Sequence, residues 1–527
     1  MNNKNKQFIF YAIVFFGIFL RLFKLNYPGI TVDEYITSNF CSGKNLLYLI
    51  FDTLANNPHP PLFFILEYII TAIFGISEIS IRILPALFSI ISIFVFYKFV
   101  RSFFSEKISF IALFLFCFNP YLIYYSHDAR MYPFFLLVSI LIIYYFLMSI
   151  KYNSFLFVPF IFWSIIGLYV HNYTFNLLLI LNFLVFLKYY EEIRLNQWIK
   201  ANIIIFLFWV PLIPFYIKSV LGDAYSLKVG LLLAPFYTIK NFIFGLTINF
   251  NLFIIVAFIF ITFLIFNAII TNRDKTKKQI NLLVEISLLF IAIPWIESII
   301  LTPVYSDRTL IIIVPYIIIL VSIGASYLSK NGLTIFLLII VFIYAISNYN
   351  FFYNKDFQNI NYGEQFDFLL NKIDDSDVII HTNTSSYAAY EFYNKLKYKK
   401  NFENRLLQEI PEFKGGKLKF IVRDMWRRFN DFLKKYFDIY VYSGYDKNIL
   451  PEKELYEKIK DIKRIWLVVD NENGIQRICL PFGNVWYSKT KIKDVPVVEN
   501  IDWVKKFFNI KEKKDFYGTS IYLLEKK

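Results

Sequence analysis

Apolar runs separated by short polar stretches dominate the first 350 residues of the chain. Several of these runs approach the roughly 20 residues with which a helix crosses ~30 Å of hydrocarbon. Their spacing predicts about eleven membrane-spanning helices, at residues 8–25, 82–100, 108–120, 133–150, 154–171, 174–188, 200–217, 250–270, 281–300, 309–328 and 333–349. The fold class that follows is a multi-pass α-helical membrane protein.

A different pattern begins near residues 348–354, where charged and polar residues interrupt the apolar positions. Short β-rich runs then alternate with helical stretches. We predict strands at residues 377–381, 418–422, 465–469 and 520–524, and helices at residues 386–399, 452–462 and 502–508. The chain is therefore divided into a transmembrane domain at residues 1–350 and a small α/β domain at residues 351–527.

Composition supports the bilayer as the solvent of the first domain. Hydrophobic residues make up 57% of the chain and the mean hydropathy is +0.50, more apolar than an ordinary soluble globule. The formal net charge is +15, yet Lys and Arg collect in short loops and in the polar tail, so this charge indicates membrane topology and no nucleic-acid partner. The three cysteines are too scattered for a disulfide framework or a paired-cysteine metal site.

The basic loops indicate the orientation, because cytoplasmic loops carry an excess of Lys and Arg. With the N-terminus in the cytoplasm, the predicted helices leave the basic loops at residues 101–107, 151, 188–200, 273–278 and 330 inside. The same count makes the C-terminal domain extracytoplasmic, at the plasma membrane. It requires that the apolar run at residues 62–74, which contains Glu67, is interfacial or re-entrant, since a further span would invert every later loop.

The first outer loop carries adjacent carboxylates, Asp33 and Glu34, and then the segment Asn-Pro-His-Pro-Pro-Leu at residues 57–62. Hydrated loop charges are one interpretation of the carboxylates. In the other, one carboxylate accepts a proton during catalysis while its neighbour orients it or binds a cation. His59 is either a turn residue or a member of the same site, and the prolines direct the chain back to the bilayer.

Later outer loops carry further ionisable groups. The second loop places Asp128 and Arg130 among hydroxyl-bearing residues, and ionisable groups at a membrane boundary are costly unless they pair or function. A structural pair of Asp128 with Arg130 is the alternative to a functional site. Arg308 opens an apolar helix, where its guanidinium either reaches the headgroups or clamps a phosphate. The histidine spacing does not indicate a metal site.

These motifs, in this order, resemble those of the GT-C superfamily of glycosyltransferases. The sequence reads Asp-Glu at residues 33–34, His-Pro-Pro-Leu at 59–62, Ser-x-acid-Ala-Arg-x-Tyr at 126–132 and Pro-x-x-x-x-Arg at 303–308. More narrowly, the chain is similar to the family 39 glycosyltransferases, which include protein O-mannosyltransferases and the aminoarabinose transferases of lipid A. Each motif alone is weak, but the combination spans nearly the whole membrane region.

The resemblance implies a polyprenyl-phosphate sugar donor, transfer with inversion, and a catalytic carboxylate in the first outer loop. Here that carboxylate is Asp33, with Glu34 as the alternative. The resemblance also implies that Arg308 faces the donor phosphate. In an oxocarbenium-like transition state the acceptor hydroxyl becomes acidic late, so an ordinary carboxylate can accept its proton.

The donor site that the resemblance implies includes the second loop. Asp128 is expected near the donor phosphate or near a divalent cation that binds it, and His59 and Arg130 are assigned to the same site. The usual Gln-Glu pair is replaced here by His127 and Asp128, and the shorter acid shifts any cation position. A divalent metal cofactor held by Asp128 is therefore left open.

Two other functions remain to be weighed against a glycosyltransferase. A transporter or flippase for lipid-linked sugars would carry ionisable residues deep inside its helices, and the sequence shows few. A polysaccharide polymerase or ligase would share the outer-loop arginines, but it does not explain Asp33 and Glu34. The expected partners are the lipid-linked donor, membrane lipids and a glycan, lipid or protein acceptor that the sequence does not identify.

Overall fold

A computed structural model describes residues 3–27, 29–42, 45–152, 157–221, 231–271, 276–300, 304–354, 357, 360–374, 376–381, 384–400, 402–407, 449–450, 462–470, 476–479, 485–488, 502–516 and 519–527. Five features predicted from the sequence lie wholly or partly outside these ranges. They are residues 154–156 of a span, the strand at residues 418–422, residues 452–461 of a helix, residues 273–275 of a basic loop, and Pro303.

The membrane region is built from helices. In chain order they are α1 Asn3–Leu22, α2 Val32–Phe40, α3 Leu46–Asn56, α4 Leu62–Phe74, α5 Glu78–Phe103, α6 Glu106–Phe118, α7 Pro120–Ser126, α8 Tyr132–Tyr152, α9 Phe157–Val170, α10 Tyr173–Leu184, α11 Leu195–Trp209, α12 Ile213–Leu221, α13 Ala234–Phe244, α14 Leu252–Thr271, α15 Lys277–Ile300, α16 Val314–Ser326 and α17 Lys330–Tyr353. A 3-10 helix, Asp307–Ile313, leads directly into α16. Within the described ranges, eight helical stretches are long and apolar enough to cross a membrane, or nine if the bent pair α6 and α7 is one span.

Each predicted span coincides with a helix, which confirms the multi-pass helical fold. Two of these helices, α9 and α10, are short in the structure. The apolar run at residues 62–74 forms α4, and its interfacial position stays a prediction. The structure adds α2, α3 and α13, which the sequence pattern did not predict because helices of 9 to 11 residues contain too few turns for a clear period.

The bend between α6 and α7 is caused by Pro120 and stabilised by Arg21. Pro120 has no N–H to donate to the carbonyl of Phe116, and the two helices meet at 49°. The buried Arg21 guanidinium of α1 donates to the carbonyl oxygens of Phe116 and Cys117 at 3.3 and 2.8 Å. It also donates to Ser89 Oγ at 2.7 Å. The bend is therefore held by α1 and α5 together.

The connections divide between two ends of the bundle. At one end, Lys6 of α1 pairs with Glu106 of α6 at 2.6 Å, and Lys107 donates to the Ser326 carbonyl oxygen at the end of α16, also at 2.6 Å. The other end gathers the connections α1–α2, α3–α4, α7–α8 and α9–α10, together with the start of the 3-10 helix before α16. The predicted outer loops thus lie on one side of the molecule.

The described part of the C-terminal region contains a six-stranded sheet in the order β3-β2-β1-β4-β8-β7 and a separate β5–β6 hairpin. Its strands are β1 Val378–His381, β2 Glu403–Leu407, β3 Ile449–Leu450, β4 Arg464–Asp470, β5 Gln476–Cys479, β6 Val485–Ser488, β7 Phe508–Phe516 and β8 Thr519–Lys526. Strands β3, β2, β1 and β4 are parallel, while β8 and β7 are antiparallel.

Helices accompany this sheet, as the predicted α/β pattern requires. They are α18 Tyr362–Leu370, α19 Thr384–Glu391, which continues as a π-helix over Phe392–Lys397, and α20 Asp502–Phe507. Strands β1, β4 and β8 confirm three of the predicted strands, and α19 and α20 confirm two of the predicted helices. The exact boundary between the two domains stays a prediction.

Candidate active site

Asp33 lies in the first turn of α2, at the end of the bundle where the predicted outer loops meet. The Thr31 hydroxyl caps α2 by accepting the Glu34 N–H at 3.2 Å, and the Glu34 carboxylate accepts the Thr31 N–H at 3.0 Å. This reciprocal cap holds the backbone that carries Asp33. The Asp33 side chain is 36% exposed, and its Oδ2 accepts a hydrogen bond from Arg308 Nη1 at 2.6 Å.

Glu34 has the opposite environment from its neighbour. Its two carboxylate oxygens accept hydrogen bonds from Arg82 Nε and Nη2 at 2.6 and 2.7 Å, and both side chains are 1% exposed. Glu34 Oε1 also accepts the Ala129 N–H at 3.3 Å, while Arg82 donates to the Leu25 carbonyl oxygen at 3.0 Å. A carboxylate used in this way is poorly suited to accept a further proton. Glu34 instead ties the first connection to α5 and to the second connection.

Asp128 and Arg130 flank Ala129 in the second connection, but they do not form the structural pair considered from the sequence. Arg130 Nη1 lies 3.5 Å from Thr37 Oγ1 of α2, and its Nε is buried with no hydrogen-bond partner in the described part of the chain. Burial raises the pKa of Asp128 to about 7, and the charge of Glu34 adds to the shift. Burial and the neighbouring carboxylate therefore favour the neutral form of Asp128.

Two histidines face the same region. His59 precedes α4 and His171 precedes α10, and their ring centroids are 5.1 Å apart. The His171 ring is buried and stacks on Phe135 at 4.5 Å, and its Nδ1 accepts the Tyr173 N–H at 3.1 Å. Because Nδ1 accepts, the neutral ring carries its proton on Nε2. This Nε2–H and His59 Nδ1 are both buried without a partner among the described residues.

Cationic charge surrounds these groups. Burial, followed by the charges of Arg130 and Arg308, lowers the pKa of His171 to about 3, and burial with the same arginines lowers the pKa of His59. Burial alone would raise the pKa of Asp33, but the charges of Arg130 and Arg308 outweigh it and the net shift is downward. At neutral pH the site therefore contains neutral imidazoles, two guanidinium groups and an ionised Asp33.

This arrangement fits an oxyanion better than a metal cation. Among the described residues, no group of three or more His, Cys, Asp or Glu side chains is placed to hold a metal ion. Two of the three carboxylates are already paired, Asp33 with Arg308 and Glu34 with Arg82. The unpartnered Arg130 Nε is an N–H donor, which repels a cation. The divalent cation expected at Asp128 therefore stays a prediction without further ligands in the described part of the chain.

The structure brings all six residues predicted from the sequence to one end of the bundle: Asp33, Glu34, His59, Asp128, Arg130 and Arg308. It also adds two that sequence reasoning did not assign. Arg82 could have been found from its position, because a charged residue near the start of an apolar helix needs a partner. His171 was visible as an outer-loop histidine, but its stacking and fixed tautomer depend on tertiary contacts.

Comparison with known proteins gives a partial family match. Residues 58–216 match the family model for dolichyl-phosphate-mannose-protein mannosyltransferase. This segment includes α4 through α11 and the first four residues of α12, and with them His59, Asp128 and Arg130. None of the curated proteins compared with the sequence matches it significantly.

Solved structures match the whole chain. ArnT from Cupriavidus metallidurans, in the apo state and bound to undecaprenyl phosphate, has 10% identity and a TM-score of 0.61, covering 99% of this chain and 98% of ArnT. The apo oligosaccharyltransferase of Archaeoglobus fulgidus has 13% identity over 96% of this chain and 79% of its own, with a TM-score of 0.47. The protein is thus a multi-pass membrane protein that shares the fold of ArnT over nearly its whole length and is similar to the mannosyltransferase family over residues 58–216.

Proposed function

We propose that the protein transfers a sugar from a polyprenyl-phosphate donor to an acceptor on the outer face of the plasma membrane. The observation that carries the proposal is the juxtaposition of Asp33, a partly exposed and ionised carboxylate, with two guanidinium groups and a buried His171 N–H. This N–H has no partner in the part of the chain that the structure describes. Preorganised donors of this kind bind oxyanions strongly in a desolvated site. A phosphate held by such donors would leave the anomeric carbon of the sugar between the phosphate and Asp33, the carboxylate that serves as the base.

The comparisons support a lipid phosphate as the source of this oxyanion. One of the ArnT structures contains undecaprenyl phosphate, and the family model is described by a dolichyl-phosphate-linked sugar. A polyprenyl chain cannot leave the bilayer, so its phosphate must be met at the membrane surface. The end of the bundle where the connections gather offers cationic groups at that position.

Without a donor, Arg308 Nη1 lies 2.6 Å from Asp33 Oδ2, and binding of the donor breaks this ion pair. The phosphate competes for Arg308, whose planar guanidinium can bind two phosphate oxygens at once. Arg130 and the Nε2–H of His171 donate to the same phosphate, and His59 lies next to it. Loss of the contact with Arg308 releases the Asp33 carboxylate for proton transfer.

The chemical step follows from these positions. The acceptor hydroxyl oxygen forms a bond to the anomeric carbon while the bond from this carbon to the phosphate oxygen breaks. Asp33 takes the hydroxyl proton, and the electron pair of the broken bond stays on the lipid phosphate, where Arg308 and Arg130 stabilise the added negative charge. Attack from the face opposite the phosphate inverts the anomeric configuration.

The orientation belongs to the same proposal. With the N-terminus cytoplasmic, the end that contains the site and the C-terminal domain both face the outside, where the glycan, lipid or protein acceptor is found. The basic contacts of Lys6 and Lys107 then lie at the cytoplasmic end.

The experiment uses the purified protein in lipid nanodiscs. A panel of radiolabelled polyprenyl-phosphate hexoses and pentoses is incubated with cell-envelope acceptors, and release of polyprenyl phosphate is followed by chromatography. We expect the wild-type protein to consume at least one donor and Asp33→Asn to consume none at a comparable rate. A wild-type protein that neither binds polyprenyl phosphate nor consumes any donor would overturn the proposal.

A further inference from the structure

Three apolar side chains next to site residues belong to one buried cluster. Ile30 precedes the Thr31 cap of α2, Ile81 precedes Arg82, and Ala129 follows Asp128; each is at most 1% exposed. They come from three separate segments of the membrane domain, namely the α1–α2 connection, the first turn of α5 and the α7–α8 connection. They share a hydrophobic cluster with side chains of the C-terminal domain: Tyr362, Phe366, Leu369, Ala389, Tyr390 and Tyr393.

The C-terminal domain reaches this cluster with one layer of helices. Along β1 and β4, alternate residues point to opposite faces, so Ile379 and Trp466 belong to the cluster while Ile380 and Leu467 belong to a second core on the far face of the sheet. Helix α19 and its π-helical continuation pack directly against α2. The helical layer thus lies between the sheet and the segments that carry Asp33, Asp128 and Arg82.

Polar and backbone contacts join the same surfaces. Lys397 Nζ donates to Glu78 Oε1 at the start of α5 at 2.8 Å, and the Tyr393 hydroxyl is hydrogen-bonded to the same carboxylate. At Gly29, a Cβ atom would lie 2.1 Å from the Ile360 carbonyl oxygen. Only a glycine therefore permits this approach of the first connection to the C-terminal domain.

We propose that the C-terminal domain positions the catalytic segments, with Tyr393 and Phe366 as positioning residues for Asp33 and for the second connection. None of these aromatic side chains touches the reacting atoms. Their role is to hold the α1–α2 connection, the start of α5 and the α7–α8 connection in one arrangement. A displacement of about 1 Å can cost 100-fold in rate, so small losses of packing here should be visible in turnover.

A positioning role and a merely structural role predict different effects on turnover and on lipid-phosphate binding. Arg308, His59 and His171 come from segments outside the cluster, whereas Arg130 follows Ala129 within it. Lipid-phosphate binding should therefore depend on the cluster less than turnover does. Loss of Tyr393 should therefore lower turnover while the affinity for polyprenyl phosphate is kept. Ordinary unfolding would lower both together.

The test compares Tyr393→Ala with Leu524→Ala in the full-length protein. Leu524 is equally buried, but it belongs to the core on the far face of the sheet. We expect Tyr393→Ala to lower turnover about 10-fold or more, with polyprenyl-phosphate affinity within about threefold of wild type. Tyr393→Phe, which keeps the ring, should restore most of the rate, and Leu524→Ala should keep it per folded molecule. Equal losses in Tyr393→Ala and Leu524→Ala, or full turnover in Tyr393→Ala, would refute the proposal.

The turnover readout rests on the proposed function, so a second measurement is independent of it. Amide hydrogen exchange at residues 30–37 and 127–131 should become faster in Tyr393→Ala and in Gly29→Ala but not in Leu524→Ala. Phe366→Leu, a milder change in the same cluster, replaces Tyr393→Ala if that variant does not fold. Unchanged exchange in the cluster variants would refute the positioning role, whereas faster exchange in a protein without transferase activity would refute only the proposed function.

Discussion

Asp33 and Glu34 are adjacent in the chain, but they differ in burial and in hydrogen bonding. Asp33 is partly exposed and has one ion-pair partner, which a ligand can displace. Glu34 is buried, and its oxygens accept from Arg82 and from two backbone N–H groups. The free energy of a buried charge rises steeply when its partner is removed, so Glu34 is retained in its pair while Asp33 can exchange partners.

Replacement of Asp33 should separate chemistry from binding. Asp33→Asn keeps the size of the side chain but cannot accept the proton, so turnover should fall about 10²-fold or more while donor binding survives. Donor binding and turnover are measured separately on the same preparation. Near-normal turnover in Asp33→Asn would move the base to another residue, with Asp128 the first to examine.

Arg308 is predicted to bind the phosphate as a planar fork that lysine cannot fully replace. Arg308→Lys should weaken polyprenyl-phosphate binding, and Arg308→Ala should nearly abolish both binding and transfer. Arg194→Ala, an exposed arginine outside the site, is the matched control and should behave as wild type. If Arg308→Ala bound and transferred normally at wild-type expression, the alternative in which Arg308 only reaches the headgroups would be correct.

Asp128 should make donor binding depend on pH. Because its pKa is raised to about 7, the carboxyl is protonated below that pH and becomes a negative charge near the phosphate above it. The affinity for a non-titrating ligand, the methyl ester of polyprenyl phosphate, should therefore fall about tenfold as pH rises through 7, equivalent to ~1.4 kcal/mol.

Asp128→Asn provides the control for this pH step. The variant carries no titrating group at that position, so its affinity for the methyl ester should stay flat across the same range. Repeating the titration with added divalent cations tests the metal alternative. An affinity of the wild-type protein that rises with pH only when the cation is present would support a metal at Asp128.

At the scale of the element, α2 is anchored more firmly than its nine residues would suggest. Isolated helices of this length are marginally stable, and α2 is stabilised by its Thr31 cap, by the pair of Glu34 with Arg82, and by packing against α19.

Arg82 and Arg21 are buried charges in apolar helices, which a transporter would also contain. Here the hydrogen bonds of each guanidinium end on a carboxylate, a hydroxyl or backbone carbonyls, so both residues connect elements.

A double-mutant cycle tests this anchor. Glu34→Gln and Arg82→Gln should each destabilise the protein by about 3–5 kcal/mol, because each leaves a buried charge without its partner. The double variant should cost clearly less than the two single losses added together. The measurement is thermal unfolding in one detergent, with the wild type as reference. Additive losses would mean that the two side chains do not depend on each other.

At the scale of the whole molecule, one end of the bundle carries both the site and the C-terminal domain. The predicted number of membrane crossings requires this arrangement, because it places every connection that carries a site residue on the same side of the membrane. The tertiary contacts between α2, the second connection and the 3-10 helix before α16 agree with that grouping. The side of the membrane to which this end faces belongs to the proposed function.

A reporter fused after residue 527 should be active only outside the cytoplasm. The physical reason is that Leu62–Phe74, an apolar helix of 13 residues with the buried Glu67, is too short to cross ~30 Å of hydrocarbon. Paired fusions with cytoplasmic and extracytoplasmic reporters provide the measurement, and an N-terminal fusion is the control. Cytoplasmic activity of the C-terminal fusion would show that α4 spans the membrane and that the orientation is inverted.

The sequence by itself determined the helical membrane fold, the grouping of the motifs at one end of the bundle, and three of the strands in the C-terminal sheet. These depend on local periodicity and on counts of apolar and basic residues, which are properties of a linear chain. The six candidate site residues were also recognisable, because ionisable groups beside apolar helices are rare and because their motifs resemble those of a known family.

Only the tertiary structure decided the roles within the site. Asp33 and Glu34 are adjacent carboxylates that the sequence does not distinguish. In the structure Asp33 is paired with Arg308, 275 residues away, and Glu34 is paired with Arg82, 48 residues away. The same holds for His171, whose proton position depends on the N–H of Tyr173 and whose ring is held by Phe135. Contacts between distant segments depend on packing in three dimensions, and residue type and periodicity contain no information on which partner each charged side chain will meet.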